Sequence, residues 1–244
     1  KDDPKVIWAE PGEVLADPDV NSMYPSFIVE YKVCPHHLNP EVFLGIVEWL
    51  MKTRLKAKHE GPKLEANALK IVINRIYGAL NDAMDYLYDP ECTFTVTINL
   101  QLLLCNLIEA FETNNFDVLS ANTDGLLVRV SLVRKDRFDN ICKEWEEYSK
   151  LTLETEIFEK YCRSAVNDYI AVGYGFYDAL QEYNRCGVWI DSKSNTYTTR
   201  QAIEDKFIKF KGYFLQDPEY NKGFVYPVVK KALKEYFLYG VDIT

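Results

Sequence analysis

The sequence predicts an α+β fold, in which an antiparallel sheet is backed by helices and accompanied by a short helical hairpin. Three observations carry this reading. Asp124-Gly125 lies between two β-rich runs, with Phe116, Val118 and Leu119 before it and Leu126, Leu127, Val128 and Val130 after it. That is the pattern of a β-hairpin tip. Two helical periods, over 40–59 and 63–80, meet at Gly61-Pro62, a pair that stops one helix before the next begins. Residues 94–114 place Leu100, Leu103, Leu104, Leu107, Ile108 and Phe111 at helical spacing, as a helix backing a sheet does.

Taken in order, residues 5–20 read as a strand that brings Val14 and Leu15 up to Asp19, and 22–32 as a short helix. Pro40-Glu41 opens the next helix, whose apolar positions are Phe43, Leu44, Val47, Leu50 and Met51. In the helix over 63–80, Lys70, Asn74, Tyr77 and Gly78 fall at i, i+4, i+7 and i+8 on one face, and Leu69, Val72, Ile73, Ile76 and Leu80 are expected to pack inward on the other. After the Asp124 hairpin, 134–150 reads as a charged outer helix, and 152–165 and 169–172 as strands. Beyond 175 the pattern weakens into tyrosine-rich turns, a hairpin near 188–197 and a helix over 225–239.

With 244 residues and 48% hydrophobic composition the chain can bury a sizeable core. The start at Lys1 suggests a piece of something longer. No run approaches about 18 continuous apolar residues, and there is no N-terminal apolar run of signal-peptide type, so no membrane partner is expected. Six scattered cysteines form no Cys-x-x-Cys pair, which speaks against zinc and a disulfide framework and for a reducing, cytoplasmic setting. His36, His37 and His59 show no ligand spacing with the carboxylates and are assigned no role.

Net charge is −9, unusual for a nucleic-acid binder, but its distribution is uneven. Residues 52–75 hold seven Lys or Arg against two Glu, and 206–234 hold seven Lys against one Asp and one Glu. Each island is thus +5, the remainder −19, and the two islands can focus a field on a polyanion.

Asp19 and Asp124, each where a strand runs out, can together hold a pair of Mg²⁺ ions, which prefer carboxylate and phosphate oxygens. Such a pair serves phosphoryl transfer. The stripe Lys70, Asn74, Tyr77, Gly78 adds a cation for a triphosphate, a ring for a base pair and a bare backbone patch. These three segments, in this order, resemble the A, B and C motifs of family B DNA polymerases, the phage branch in particular. Asp19-Val20-Asn21-Ser22-Met23-Tyr24-Pro25-Ser26 differs from the first pattern, Asp-x-x-Ser-Leu-Tyr-Pro-Ser, only at Met23. Lys70 to Gly78 meets Lys-x-x-x-Asn-Ser-x-Tyr-Gly except at Arg75. The third pattern, Tyr-x-Asp-Thr-Asp-Ser, keeps Thr123 and Asp124, with Ser120, Asn122 and Gly125 in place of Tyr, the first Asp and Ser.

The resemblance implies a polymerase palm over 1–35 and 83–174, minimal fingers over 36–82 and a partial thumb over 175–244. It implies template-directed DNA synthesis, a Mg²⁺-dependent nucleotidyl transfer from a dNTP to a primer 3′-hydroxyl, with two Mg²⁺ ions and Mn²⁺ able to substitute. Asp19 and Asp124 are then the catalytic carboxylates, with Asp19, Val20 and Asp124 as the metal positions. Ser22, Met23, Tyr24, Arg54, Lys58, Lys70 and Asn74 fall on the dNTP, Tyr24 as the gate against a 2′-hydroxyl. Tyr77 and Gly78 line the nascent base pair. Thr123, Tyr169, Lys209 and Lys211 fall on primer or duplex, with Asn167-Asp168-Tyr169 where the family has Lys-x-Tyr. Primer–template DNA, dNTPs and replication accessory proteins are the expected partners, and a phage-encoded enzyme would act in the host cytoplasm. The altered residues Asn122, Gly125 and Asn167 leave an alternative open, a polymerase-like module that binds nucleic acid without catalysis.

Overall fold

The computed structural model describes residues 5–61, 63–165, 168–186, 189–191, 196–211 and 227–240. Among these, seven strands form one antiparallel sheet: β1 (Lys5–Trp8), β2 (Glu13–Val20), β3 (Asp117–Ala121), β4 (Leu126–Ser131), β5 (Leu153–Ala165), β6 (Asp168–Gly173) and a last strand, Ile208–Lys211. A separate hairpin pairs β7 (Trp189–Asp191) with β8 (Thr196–Thr198), so the last sheet strand is β9. The sheet order is β3-β4-β2-β5-β6-β9, with β1 also on β5. The helices are α1 (Met23–Glu30), α2 (Pro40–Glu60), α3 (Lys63–Leu80), α4 (Pro90–Thr113), α5 (Lys135–Ser149), α6 (Phe176–Cys186), α7 (Arg200–Phe207) and α8 (Pro227–Tyr239). The α+β class expected from the sequence is what the chain adopts.

The chain divides into two compact units, and the division falls within β2, β4 and β5. The first unit comprises 1–17, 128–133 and 156–244. In it β2 pairs with β4 (Val14 opposite Val130), β5 with both β1 and β6, and β6 with β9 (Tyr169 opposite Lys211, Ala171 opposite Lys209). Its core gathers Ile170, Val172, Phe176, Leu180, Ile203, Ile208, Phe237 and Leu238. Two sequence expectations are corrected here. The single strand over 5–20 is two strands, because the chain turns at Pro11-Gly12, where Gly12 takes a φ of 87° that side chains disfavour. The stretch directly after 175 is the helix Phe176–Cys186: Phe176, Ala179, Leu180 and Tyr183 repeat at i, i+3, i+4, i+7 and pack into the core, an amphipathic period masked by its tyrosines.

The second unit comprises 18–127 and 134–155. Here α2 and α3 form the expected helical hairpin, and α4 packs against α1, α3, α5 and β3. Asn39 caps α2 by accepting the Val42 N–H at 3.2 Å, with Pro40 at the first helical position. Asp89 and Pro90 do the same for α4, which therefore starts at 90 rather than 94. By length and composition α4 could cross a membrane, its best 18-residue window having a mean hydropathy of 1.5. In the fold its Val96, Leu100, Leu104, Leu107 and Phe111 are buried, and Phe111 stacks on Phe138 of α5 at 5.1 Å, while Phe94, Ile98 and Leu102 are exposed. On α3, Ile73 and Leu80 are buried as expected, but Val72 is 48% exposed.

One buried cation stands out in the first unit. Lys160 of β5 is 5% exposed, donates to the Phe237 carbonyl, and lies 3.5 Å from the Trp8 ring centroid and 4.1 Å from that of Phe237. Burial pulls its ammonium down to about 8 from 10.5. Between those two values the unfolded chain binds more protons than the folded one, so stability rises with pH through that window. Lys160→Met removes the charge and keeps the packing volume. Its advantage in thermal midpoint over the unsubstituted chain should be largest near pH 7 and shrink toward pH 10, as read by paired melts across that range.

Candidate active site

Strand β2 carries Val14, Leu15, Ala16 and Val20 into the core and leaves Asp19 exposed close to its end. There Asp19 forms an antiparallel bridge with Gly125, and the Val20 N–H donates to the Asp124 carbonyl at 2.7 Å. The Asn21 N–H donates to Thr152 at 2.8 Å on the other side. So the end of β2 is clamped between two segments, and Asp124 lies one residue from the partner of Asp19. Asn122 and Gly125 close the hairpin through an N–H to carbonyl bond of 2.8 Å, leaving Thr123 and Asp124 as its two-residue loop. The Asn122 side-chain oxygen accepts the Thr123 N–H at 2.7 Å, the local bond by which Asn and Asp alike organise turns.

Gly125 is required by this approach. A Cβ there would lie 2.9 Å from Asp19 Oδ1 and 3.2 Å from the Pro18 carbonyl. The absent side chain leaves the space that the Asp19 carboxylate occupies. Carboxylate and backbone oxygens are hard donors, the kind that Mg²⁺ prefers and softer ions do not.

Past Asn21, Ser22 takes the left-handed conformation (φ 49°, ψ 46°), a costly state for a residue with a side chain. That turn starts α1 at Met23, next to Asp19 in the chain, so the unpaired N–H groups of its first turn belong to the Ser22-Met23-Tyr24 segment. The Ser22 hydroxyl accepts from Arg54 Nη1 at 2.7 Å, and Lys58, one turn on, lies 3.3 Å from Glu154. Arg54, Lys58, Ser22, Ser26, Asn21 and Thr152 line a cleft of 290 Å³. The structure thus brings Arg54 and Ser22 together.

Tyr24 and Tyr77 are also brought together, with ring centroids 4.1 Å apart and planes at 23°. The Tyr77 hydroxyl is 2.8 Å from Thr97 Oγ1 on α4, and Thr97 donates to the Thr93 carbonyl at 2.7 Å. Burial raises the Tyr24 phenol above its ordinary range, and the neighbouring Tyr77 and Asp124 raise it further. Thr97 was not legible as a site residue, because only the fold carries α4 to Tyr77. A second cleft, of 390 Å³, runs along Met23, Tyr24, Thr97, Leu104, Asn122 and Thr123.

Lys70, Asn74 and Gly78 are exposed on the α3 face that carries Tyr77. Among the described residues a Cβ at Gly78 would approach only Arg75, at 4.0 Å, and none of them demands glycine there. Arg75 itself is bound at 3.0 Å to both Asp82 and Asp85, tying the end of α3 to the following turn.

The remaining predicted residues lie in the first unit. Tyr169 is 4% exposed, with its ring 4.7 Å from that of Tyr161. Lys209 pairs with Glu156 at 2.5 Å. Lys211 is described by its backbone pairing with Tyr169, and Asn167 lies outside the described residues. One expectation is overturned: His36 does meet a carboxylate, its Nδ1 lying 2.9 Å from Asp89 Oδ2, because the fold brings the segment after α1 onto the start of α4. His37 Nε2 is 2.8 Å from the Tyr86 carbonyl.

No family model matches the chain. Over 141 residues it is 26% identical to the DNA polymerase alpha catalytic subunit of Oryza sativa subsp. japonica, covering 47% of this chain and 9% of that protein. Over 116 residues it is 28% identical to DNA polymerase II of Escherichia coli (strain K12), covering 48% and 14%. Over 184 residues it is 28% identical to a DNA polymerase of Pyrococcus glycovorans, covering 61% and 23%. These are family B DNA polymerases, and about half of the chain is homologous to them. The chain spans less than a quarter of the length of each of these three relatives.

Gly125→Ala should move the Asp19 carboxylate while leaving the fold intact, since the closest obstacle is a side-chain end. Mn²⁺ affinity, followed by electron paramagnetic resonance, should fall by about 10-fold or more, as when the support of a metal ligand is lost. The thermal midpoint should move little, by the equivalent of under about 1 kcal/mol.

Proposed function

We propose that this chain is the nucleotidyl-transfer core of a template-directed DNA polymerase, adding dNTPs to a primer 3′-hydroxyl. The observation that carries the reading is the bridge from Asp19 to Gly125 with the Val20 to Asp124 hydrogen bond, which sets two aspartates at adjoining chain segments in an oxygen-rich site. Asp19 and Asp124, with the Val20 backbone, would hold Mg²⁺, and Mn²⁺ could replace it. When bound, the ions lower the cost of deprotonating the primer hydroxyl and of charge on the departing pyrophosphate.

The rest of the work falls to the chain's own residues. Arg54, anchored on Ser22, together with Lys58 and Lys70 supplies cations for the triphosphate. The N–H groups at the start of α1, at Ser22 and Met23, suit phosphate oxygens for the same reason that helix N-termini do. Tyr24, held flat by Tyr77, packs under the sugar and leaves no place for a 2′-hydroxyl. Asn74, Tyr77 and Gly78 face the new base pair, and Gly78, a glycine in a helix with open space around it, is explained by the close approach of a substrate. Primer and duplex contacts are assigned to Thr123, Lys209 and Lys211, with the ammonium of Lys209 shared with Glu156; Tyr169, buried against Tyr161, is left without such a contact.

The rival reading, a polymerase-like module that binds nucleic acid without catalysis, draws on Asn122, where the family has an aspartate. Asn122 uses its amide oxygen inside the hairpin turn, a task that needs no charge. Primer extension with Mg²⁺ and dNTPs separates the two. Extension should be present in the unsubstituted chain and fall by about 10²–10³-fold in Asp124→Asn, the scale expected on removing one electrostatic element of a transition state. Binding of labelled primer–template with no extension under any metal would favour the rival.

Tyr24→Ala should leave metal binding unchanged and lower discrimination against ribonucleotides by about 10-fold or more, since one hydroxyl is then rejected by sterics no longer present. Competition between rCTP and dCTP in single-nucleotide extension reads this directly; an unchanged ratio would remove Tyr24 from the gate.

A further inference from the structure

Away from the Asp19–Asp124 site, the same unit holds a second group of ligand-bearing side chains. The Asp89 carboxylate caps α4 and gathers its neighbours. Oδ2 accepts the His36 N–H at 2.9 Å and lies 2.9 Å from His36 Nδ1, and Oδ1 accepts the Cys92 N–H at 3.1 Å. One ligand atom each from His36, Asp89 and Cys92 lies within 4.8 Å of the other two. Asp89 and Cys92 are buried, and His36 is exposed, so the group has a wall and a mouth. Glu91 Oε2 stands 3.8 Å from His36 Nε2, outside the trio.

We propose that His36, Asp89 and Cys92 form a binding site for a divalent ion of the zinc class. The donor set is one imidazole, one carboxylate and one thiolate, which zinc accepts and Mg²⁺ does not. Ligand atoms around a tetrahedral zinc stand roughly 3.5 Å apart, given bonds of about 2.0–2.3 Å. The trio needs only side-chain adjustments to reach that spacing. Its supports are already in place. Backbone N–H groups of His36 and Cys92 orient the Asp89 carboxylate, and Glu91 Oε2, now 3.8 Å from Nε2, needs a side-chain shift to accept from Nε2–H when Nδ1 faces the ion. This is the outer-shell arrangement that metal-bound imidazoles use.

Binding exchanges protons for the ion. The Cys92 thiol proton leaves to solvent, and His36 turns from a donor at Nδ1 to a ligand there. Without an ion, burial and the nearby Asp89 push the Cys92 thiol up to about 12, so an ion must displace a firmly held proton to bind there. Three protein ligands leave a fourth position for water or for Cys34, whose thiol is close enough to add to the rise at Cys92. The site would tie the segment after α1 to the first turn of α4, so its role is structural.

Cobalt(II) tests this with a readout that the oxygen-only site at Asp19 and Asp124 cannot give, a thiolate-to-cobalt charge-transfer band. The metal-free chain titrated with Co²⁺ should develop that band to about one equivalent, and Zn²⁺ should bleach it. Cys92→Ser should abolish the band while circular dichroism stays that of the folded chain. Cys105→Ser, an exposed cysteine elsewhere on α4, should retain it. Glu91→Gln, which removes the outer-shell partner, should weaken Zn²⁺ competition by about 10-fold or more. No band in the unsubstituted chain, or a band that survives Cys92→Ser, would overturn the site. Neither result bears on primer extension, so the polymerase reading stands or falls separately.

Discussion

The bridge between Asp19 and Gly125 is the constraint on which the rest of the site depends. Two strand ends meet there through one short backbone hydrogen bond, from Val20 to Asp124, and neither carboxylate could be positioned without it. The approach is close enough that a Cβ at position 125 would press on the Asp19 carboxylate. It also fixes the path of the next residues, since β2 must turn at once to keep α1 beside its own end. Ser22 accepts a left-handed backbone to do so, and the cost is offset by the hydrogen bond from Arg54 and by the helix that begins directly after it.

Helix α4 supports this site from beneath. Its start is fixed by Asp89, which also takes the segment around His36 and whose own N–H donates to Leu80 at the end of α3, at 2.9 Å. Midway, Thr97 receives Tyr77, and the Tyr77 ring in turn lies flat on Tyr24. Further along, the Trp145 indole donates to the Leu103 carbonyl at 2.9 Å and joins α5 to the same core. A helix with so many apolar residues could be taken for filler or for a membrane segment. Here its threonines and its cap carry as much of the arrangement as its leucines.

Most of the elements were legible in the sequence because their signals are local. Gly61-Pro62 separates α2 from α3, Asn39-Pro40 opens α2, and the β-rich runs around Asp124 declare a hairpin. The aspartates were legible because each stands where such a run ends. The features that were not legible depend on contacts far apart in the chain. Nothing near Tyr77 announces Thr97, and nothing near His36 announces Asp89 or Cys92, more than 50 positions away. Arg75 reads as a departure from a motif until Asp82 and Asp85 are seen to receive it. The helix α6 was missed for a different reason: its apolar face is built from a phenylalanine, an alanine, a leucine and a tyrosine, among further tyrosines that read equally well as turn or strand.

The interleaving of the two units has a consequence for how the chain acquires its structure. The second unit is nearly continuous in sequence, from 18 to 155 apart from a short excursion, so its contacts can form as soon as those residues have left the ribosome. The first unit cannot begin to close until much later. β1 starts at residue 5, yet its partners are residues 160–163 of β5, and β6 and β9 must be added after them. Pairings across such sequence distances are slow to find. During synthesis, then, β1 waits unpaired while the helical unit behind it matures. A strand left waiting is the part most exposed to wrong partners, and it is the part that a chaperone would be expected to hold.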